Sequence, residues 1–134
     1  MYTGHCLCER VRFGFASKPT DVSACHCSIC RRISGSAFGT YVHVSEAELT
    51  LSCGAEELSD YVISDKSSTQ FCRNCGSTLF ARHADYPKSV YVYLGAIDEG
   101  ADIRLMYHEY VGSKASWFEI LDSLPQFEQS ADSD

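Results

Sequence analysis

The sequence lacks the features that mark membrane and secreted proteins. Within its 134 residues no apolar run approaches the roughly 20 residues that a membrane helix needs, so we expect no membrane partner. Residues 1–6 lack the basic and apolar regions of a secretory signal, so we expect a cytoplasmic protein. Thiols stay reduced in the cytoplasm, where clustered cysteines bind metal more often than they form disulfides.

Positive charge is also scarce. The formal net charge is −7, and Arg31-Arg32 is the only adjacent basic pair. Cysteine thiolates on two zinc ions would make the total charge still more negative, at about −10. A protein this acidic is repelled by nucleic acid unless its basic residues are concentrated, so we expect no nucleic-acid partner.

Cysteine, in contrast, is abundant, and seven of the eight cysteines fall into three clusters. The clusters are Cys6-Leu7-Cys8, Cys25-His26-Cys27-Ser28-Ile29-Cys30 and Cys72-Arg73-Asn74-Cys75. Cysteines two or three positions apart are poorly placed for disulfides with each other but can bind one tetrahedral metal ion. Two pairs and one triplet predict a closed site with four sulfurs and an open site with three.

Most of the chain is predicted to form short strands joined by turns. Runs of β-forming residues recur along it, and 90–94 (Val-Tyr-Val-Tyr-Leu) is the clearest. Helix is scarce: 45–48 resembles one capped turn, and 113–121 is expected to hold a short helix. The length fits one domain, which we place at 1–127. The acidic and polar tail 128–134 is predicted to be disordered.

The closed site is predicted from the two cysteine pairs. Cys72 and Cys75 have the spacing of a zinc knuckle, and Gly76 can take a positive φ that turns backbone N–H groups toward the sulfurs. Cys6 and Cys8, on a strand, would point to one face and complete the tetrahedron. Metal binding at such sites is worth roughly 10–16 kcal/mol, which makes this site structural. The alternative is that Cys6 and Cys8 are only small buried residues.

The open site is predicted from Cys25, Cys27 and Cys30, which offer three sulfurs within one short segment. Zinc with three protein ligands and an exchangeable fourth position is typical of catalytic sites. Three thiolates make zinc a weaker Lewis acid than three histidines would, so we expect a thiol as the fourth ligand. The alternative is a second structural site completed by Cys53, although a single cysteine on an apolar strand is usually a core residue.

Three residues near the triplet are candidates for substrate contacts. Arg31 and Arg32 could clamp a carboxylate, which arginine binds through two hydrogen bonds, or they could be solvated surface charges. His26 lies between two ligands and is expected to point away from the metal that they share. Its ring could act as a proton donor, or it could be an ordinary core or surface histidine.

These motifs resemble the glutathione-dependent formaldehyde-activating enzyme family, which includes centromere-protein-V-like proteins. The matching segments are Gly4-His5-Cys6-Leu7-Cys8, Cys25-His26-Cys27-Ser28-Ile29-Cys30-Arg31, Phe71-Cys72-Arg73-Asn74-Cys75-Gly76, His108-Glu109-Tyr110, Ser113-Lys114-Ala115-Ser116-Trp117-Phe118 and Leu124-Pro125-Gln126-Phe127. The resemblance implies a mainly β fold, the β-tent, in which small antiparallel sheets surround a structural zinc. It also implies the ligand sets: Cys6, Cys8, Cys72 and Cys75 for the structural zinc, and Cys25, Cys27 and Cys30 for a catalytic zinc with glutathione nearby.

The activity that the resemblance implies is a carbon–sulfur lyase reaction, the formation of S-hydroxymethylglutathione from glutathione and formaldehyde. We therefore predict a zinc-dependent enzyme that binds glutathione and a small electrophile, with the triplet acting through zinc. Arg31 would assist catalysis, and Arg31 or Arg32 would hold a glutathione carboxylate. Two zinc sites per chain are expected, the second only partly occupied. Lys114 and Trp117 would line the pocket, since a Lys-Ala-x-Trp turn recurs in the family; otherwise they are a surface lysine and a core tryptophan.

The alternative function is a non-catalytic zinc-binding interaction module, in the manner of the centromere-associated relatives. Such a module would be expected to carry added basic or disordered segments for its partners, and the absence of such additions weakens this alternative. A zinc-containing methionine sulfoxide reductase is excluded, because it would need a reactive cysteine on a late strand and none follows Cys75.

Overall fold

A computed structural model of the chain describes residues 1–131. The chain divides into two compact units: the first consists of Met1–Thr20 and Val42–Ile103, and the second of Asp21–Tyr41 and the residues from Arg104 onward. That residues 1–127 form one domain stays a prediction. In the described part of the chain, no helix is long and apolar enough to cross a membrane.

Short strands make up most of the regular structure, so the prediction of a mainly β fold with small sheets is confirmed. The strands are β1 Tyr2–His5, β2 Arg12–Phe15, β3 Val22–Cys25, β4 Gly39–Ser45, β5 Thr50–Cys53, β6 Leu58–Val62, β7 Ser67–Cys72, β8 Thr78–His83, β9 Ser89–Tyr93 and β10 Tyr107–Glu109. One α-helix, α1, spans Ser28–Ser34, and short 3-10 turns span Ala55–Glu57, Leu94–Ala96 and Val111–Ser113.

The first unit is built from antiparallel strand pairs. The strands β1, β2 and β5 form one sheet in that order, and β9, β8, β7 and β6 lie side by side in another. In β9 the side chains of Val90 and Val92 are fully buried, because alternate residues of a strand share a face. The ring of Phe13 in β2 packs edge-on against Phe80 in β8, with ring centroids 5.2 Å apart. This contact gives the two sheets of the unit a shared core.

The second unit has less regular structure, and its strands β3 and β10 pair in parallel, whereas the sequence predicts antiparallel sheets. The helix α1 lies where no helix is predicted. It begins after Cys27, whose sulfur accepts a hydrogen bond from the Cys30 N–H, and it ends at Gly35, which is left-handed with φ 64°. A residue with such a φ is usually glycine, because other side chains are strained there.

Residues 113–121 do not form the predicted helix, since a 3-10 turn at Val111–Ser113 is followed by irregular backbone. The Lys114 ammonium group donates to the carbonyl oxygens of Ala115 and Phe118, which in a helix would accept backbone N–H groups.

Part of the predicted disordered tail has defined contacts. The Tyr110 N–H donates to the Gln129 carbonyl, and the Gly112 N–H donates to the Glu128 carbonyl. The last three residues of that prediction, 132–134, lie outside the described residues.

Candidate metal centres

The first unit brings four cysteine sulfurs together. Those of Cys6, Cys8, Cys72 and Cys75 all lie within 4.8 Å of one another. The Cys6 and Cys8 sulfurs are 3.6 Å apart, and the Cys8 and Cys72 sulfurs are 3.8 Å apart. A tetrahedral zinc ion with metal–sulfur bonds of about 2.3 Å would separate its sulfurs by about 3.8 Å. The donor set and its spacing therefore fit one zinc ion; that these cysteines hold zinc stays a prediction.

The turn after β7 provides the knuckle of this four-sulfur group. Gly76 has the expected positive φ, 80°, and its N–H donates to the Cys72 carbonyl at 2.7 Å. The Cys75 sulfur lies 3.3 Å from the Ser77 hydroxyl. Burial opposes ionisation of Cys75, but the hydroxyl and N–H of Ser77 outweigh it and lower the pKa of this thiol to about 5. Burial raises the pKa of Cys72 to about 11, so its thiolate form needs a compensating cation.

The first cysteine pair lies in a turn rather than on a strand, since β1 ends at His5. The turn is closed by the Cys6 N–H, which donates to the Val11 carbonyl at 3.1 Å. The Val11 N–H in return donates to the Cys6 sulfur at 3.3 Å. The turn, and not strand alternation, thus places the sulfurs of Cys6 and Cys8 side by side.

The second unit brings three cysteine sulfurs together. Those of Cys25, Cys27 and Cys30 lie within 4.8 Å of one another. Cys25 is the last residue of β3, Cys27 caps α1, and Cys30 lies in the first turn of that helix. The change from strand to helix within six residues therefore makes the three sulfurs converge. This group also can hold a metal ion, and with three ligands it leaves a fourth tetrahedral position for another group.

The pKa shifts of the three triplet thiols indicate that all three ionise together only with a cation among them. Hydrogen bonds from the Cys25 and Cys30 thiols lower the pKa of Cys27 to about 2. The hydrogen bond with Cys27 raises the pKa of Cys25. The contact with Cys25 lowers the pKa of Cys30, but Cys27 and burial outweigh it and raise that pKa to about 12. The coupling favours a thiolate at Cys27 over its two neighbours, whereas three thiolates together need a positive ion among them.

The other candidates from the sequence are placed as follows. Cys53 belongs to the first unit and to neither sulfur group, and its thiol donates to the Arg10 carbonyl at 3.4 Å. Arg31 and Arg32 lie in the last turn of α1, and neither forms an ion pair with the residues that the structure describes. Arg32 is exposed, whereas the Nε atom of Arg31 is buried without a hydrogen-bond partner among residues 1–131.

His26 begins a chain of hydrogen bonds that the sequence did not predict. Its Nε2 lies 2.9 Å from Nδ1 of His108, whose Nε2 lies 2.9 Å from an Asp122 carboxylate oxygen. Both rings are buried, and the rings of Phe38 and Phe118 lie beside that of His26, with centroids 4.9 and 6.4 Å away. Burial, together with the nearby charges, lowers the pKa of His26 to about 4, so this ring is neutral at pH 7.

A cavity of about 520 Å³ lies in the second unit. Its lining consists of Lys114, Ser116, Trp117, Phe118, Glu119, Ile120 and Gln126. Small-molecule sites commonly have volumes of about 300–1,000 Å³. The Phe118 ring in its wall packs edge-on against Phe38 at 5.4 Å, and Phe38 in turn packs against His26. The cavity is thus joined by aromatic contacts to the segment that carries the triplet.

Several residues of this site could not be found from the sequence. Tyr41 donates its hydroxyl to the Cys30 sulfur at 3.1 Å, and nothing in its sequence context distinguishes it from other strand tyrosines. His108 contacts His26, and Asp122 contacts His108, across long sequence separations that only the folded chain brings together. His108 belongs to a segment quoted for the family resemblance, which was the one signal available for it.

Taken together, the observations define a class: small, mainly β proteins with one group of four and one group of three cysteine sulfurs that could hold metal ions. Within that class the chain belongs to the glutathione-dependent formaldehyde-activating enzyme family, whose sequence model matches residues 1–113. A Halomonas elongata protein named "Putative glutathione-dependent formaldehyde-activating enzyme" is 31% identical over 127 residues, covering 87% of this chain and 79% of that protein.

Two further proteins are similar to this chain. An uncharacterised lyase of Schizosaccharomyces pombe is 29% identical over 79 residues, which cover 59% of this chain and 56% of that protein. A crystal structure of a Rhodobacter sphaeroides protein is similar with a TM-score of 0.62 and 25% identity, over 75% of this chain and 90% of the other. The family and the fold are therefore supported by sequence and by structure.

Proposed function

We propose that this protein is a zinc-dependent lyase-type enzyme that binds glutathione and joins its thiol to formaldehyde or a related small electrophile. The observation that carries the proposal is the presence of two unequal sulfur groups, one of four and one of three cysteines. Membership of the family and the names of the relatives support glutathione, formaldehyde and lyase-type chemistry. A cytoplasmic location and the absence of nucleic-acid and membrane partners stay predictions.

The two groups have different roles in this proposal. Cys6, Cys8, Cys72 and Cys75 would hold a structural zinc. The triplet Cys25, Cys27 and Cys30 would hold the second ion. When bound there, zinc supplies a soft Lewis-acid position that favours a thiolate as its fourth ligand. The protein's part is to fix the three sulfurs and to supply hydrogen bonds to them.

The reaction needs no redox partner. A bond forms between the glutathione sulfur and the aldehyde carbon, the thiol proton ends on the aldehyde oxygen, and the product is the S-hydroxymethyl thiol adduct. Full ionisation of a thiol of pKa about 8.5 gains roughly thirtyfold at pH 7. Lowering its pKa by about three units reduces its nucleophilicity roughly twentyfold, with a Brønsted slope of about 0.45. Because these effects nearly cancel, rate acceleration has to come from positioning.

The cavity of the second unit is where we place the rest of glutathione. Lys114 contributes an ammonium group and Trp117 a ring that is 71% exposed, so ligand binding can cover apolar surface there. The Arg31 Nε is buried and has no hydrogen-bond partner among the described residues, so a carboxylate would satisfy it. Arg31 is therefore a better candidate than the exposed Arg32 for the carboxylate clamp.

The test of this proposal compares Cys27→Ala with Cys53→Ala. Cys27→Ala removes one of three ligands, so zinc content should fall from two equivalents to one, and glutathione binding measured by calorimetry should be lost. The thermal unfolding transition should stay cooperative, because the four-sulfur group is intact. Cys53→Ala should keep both ions and the wild-type affinity. Glutathione binding that survives in Cys27→Ala would refute the scheme.

A second measurement separates an enzyme from a binding module. The exchange of ¹³C-formaldehyde with its glutathione adduct should be faster in the presence of protein loaded with two zinc ions, as seen by exchange NMR. If glutathione binds but exchange stays at the spontaneous rate, the non-catalytic module becomes the better description.

A further inference from the structure

The Tyr41 hydroxyl supplies a side-chain hydrogen bond to one ligand of the triplet. Its oxygen lies 3.1 Å from the Cys30 sulfur and donates to it. The Cys27 sulfur receives a backbone donor, the Cys30 N–H at 3.3 Å. Among the described residues, Tyr41 is the non-cysteine side chain that donates to a sulfur of the triplet, so its contribution can be removed without changing a ligand.

Gly39 makes room for this contact. A Cβ atom built on Gly39 would lie 2.7 Å from the Tyr41 hydroxyl oxygen and 3.0 Å from two of its ring atoms. Gly39 and Tyr41 are two residues apart on β4 and so share a face, and the tyrosine ring folds back over the glycine. The φ of Gly39 is not in the left-handed region, so space for the ring, and not backbone conformation, is what requires glycine here.

We propose that Tyr41 is a positioning residue of the open metal centre. Through Cys30 it sets how firmly the triplet holds its metal and accepts a fourth, anionic ligand, and Gly39 is its structural partner. The inference rests on the proposed function only in requiring that the triplet binds a metal ion; it requires neither glutathione nor formaldehyde.

The physical reason is the charge of the site. Three thiolates around a divalent ion leave about one negative charge, and a fourth thiolate would leave about two. A hydrogen bond to a ligand sulfur takes up part of that charge and fixes the sulfur's direction. Loss of an outer hydrogen-bond partner of a metal ligand typically lowers metal affinity about 10–100-fold. Tyr41→Phe keeps the ring and removes only the hydroxyl, so it isolates this contribution.

The test measures metal affinity at the triplet by competition with a chelator, in protein whose four-sulfur group stays loaded. We expect Tyr41→Phe to weaken binding about 10–100-fold. The sulfur-to-metal charge-transfer bands of the cobalt-substituted triplet should also shift. The matched control is Tyr107→Phe in the same unit, whose hydroxyl donates to Asp21 at 2.6 Å; it should leave both quantities unchanged.

A double-mutant cycle tests the partnership with Gly39. Gly39→Ala should displace the hydroxyl and weaken metal binding like Tyr41→Phe. The metal affinity of the double variant should equal that of the more impaired single variant, because both changes remove the same hydrogen bond. Additive effects would contradict the assigned role of Gly39.

A measurement on the wild-type protein tests the same hydrogen bond without depending on whether the variants fold. In protein loaded with ¹¹³Cd, the metal should show a scalar coupling to the Tyr41 hydroxyl proton through the Cys30 sulfur. The proposal is overturned if that coupling is absent, or if Tyr41→Phe holds metal within threefold of wild type with unchanged cobalt bands. Failure of glutathione to bind wild-type protein would overturn the proposed function and leave these results untouched.

Discussion

The Nε2 atom of His26 lies 2.9 Å from Nδ1 of His108, and both rings are buried. The donor and the acceptor of this hydrogen bond can be assigned, because Nε2 of His108 also lies 2.9 Å from a carboxylate oxygen of Asp122. The hydrogen bond from His108 lowers the pKa of Asp122, so the carboxylate is ionised at neutral pH and can only accept. When His108 carries a single proton, that proton is on Nε2, its Nδ1 accepts, and His26 donates from Nε2.

We therefore expect both buried histidines to be Nε2–H tautomers at neutral pH. This leaves Nδ1 of His26 without a hydrogen, so in this state His26 is not a proton donor at that atom. Imidazole ¹⁵N chemical shifts of the zinc-loaded protein would show one protonated and one bare nitrogen for each ring. A protonated Nδ1 on His26 would contradict the assignment.

Removing Asp122, the last acceptor in the hydrogen-bonded series His26–His108–Asp122, should lower the stability of the protein. Asp122→Ala takes the acceptor from His108, whose N–H would then have to find water at the surface, since the Asp122 side chain is 45% exposed. The variant leaves a buried ring N–H without its protein acceptor, so we expect its urea midpoint to lie below that of the wild type. Urea unfolding of the zinc-loaded protein measures the change. Glu119→Ala, an exposed carboxylate in the same unit, should stay within about 0.5 kcal/mol of wild type.

Zinc removal should affect the first unit most strongly. Structural zinc is worth about 10–16 kcal/mol, which is comparable with the roughly 5–15 kcal/mol stability of a whole domain. Cys6→Ala removes a ligand that is 1% exposed, and we expect loss of the cooperative thermal transition and of zinc at this site. Cys53→Ala, an exposed cysteine outside both sulfur groups, should change neither. A cooperative, zinc-free Cys6→Ala protein would show that this site is not structural.

The sequence predicted those features that depend on short-range spacing. The convergence of Cys25, Cys27 and Cys30 follows from their separation, and the positive φ of Gly76 follows from its place after a Cys-x-x-Cys pair. The segment 28–34 was not predicted as a helix because seven residues with the apolar pair Ile29 and Ile33 are too short a run to establish a helical period. Its start depends on the Cys27 sulfur acting as the N-cap, a role that cysteine seldom has.

Long-range contacts were beyond such reasoning. His26 and His108 are 82 residues apart, and no local pattern indicates that their rings meet.

The segment 113–121 was predicted as helix from its residue types alone. There the Lys114 ammonium group donates to the carbonyl oxygens of Ala115 and Phe118, so a local side-chain contact competes with the backbone hydrogen bonds on which the helix would depend.

Trp117 provides the most direct test of where the thiol ligand lies. It is the single tryptophan of the chain, it lines the cavity of the second unit, and 71% of it is exposed. If glutathione fills this cavity while its sulfur is held at the triplet, the indole loses water contact, so its emission should shift to shorter wavelength as glutathione is added. S-methylglutathione, which has no free thiol, should give a smaller shift at the same concentration. Trp117→Ala should weaken binding about tenfold, because a large aromatic contact is lost. Emission that stays constant while calorimetry reports saturation would place the ligand elsewhere, and the cavity would then have to be removed from the proposed site.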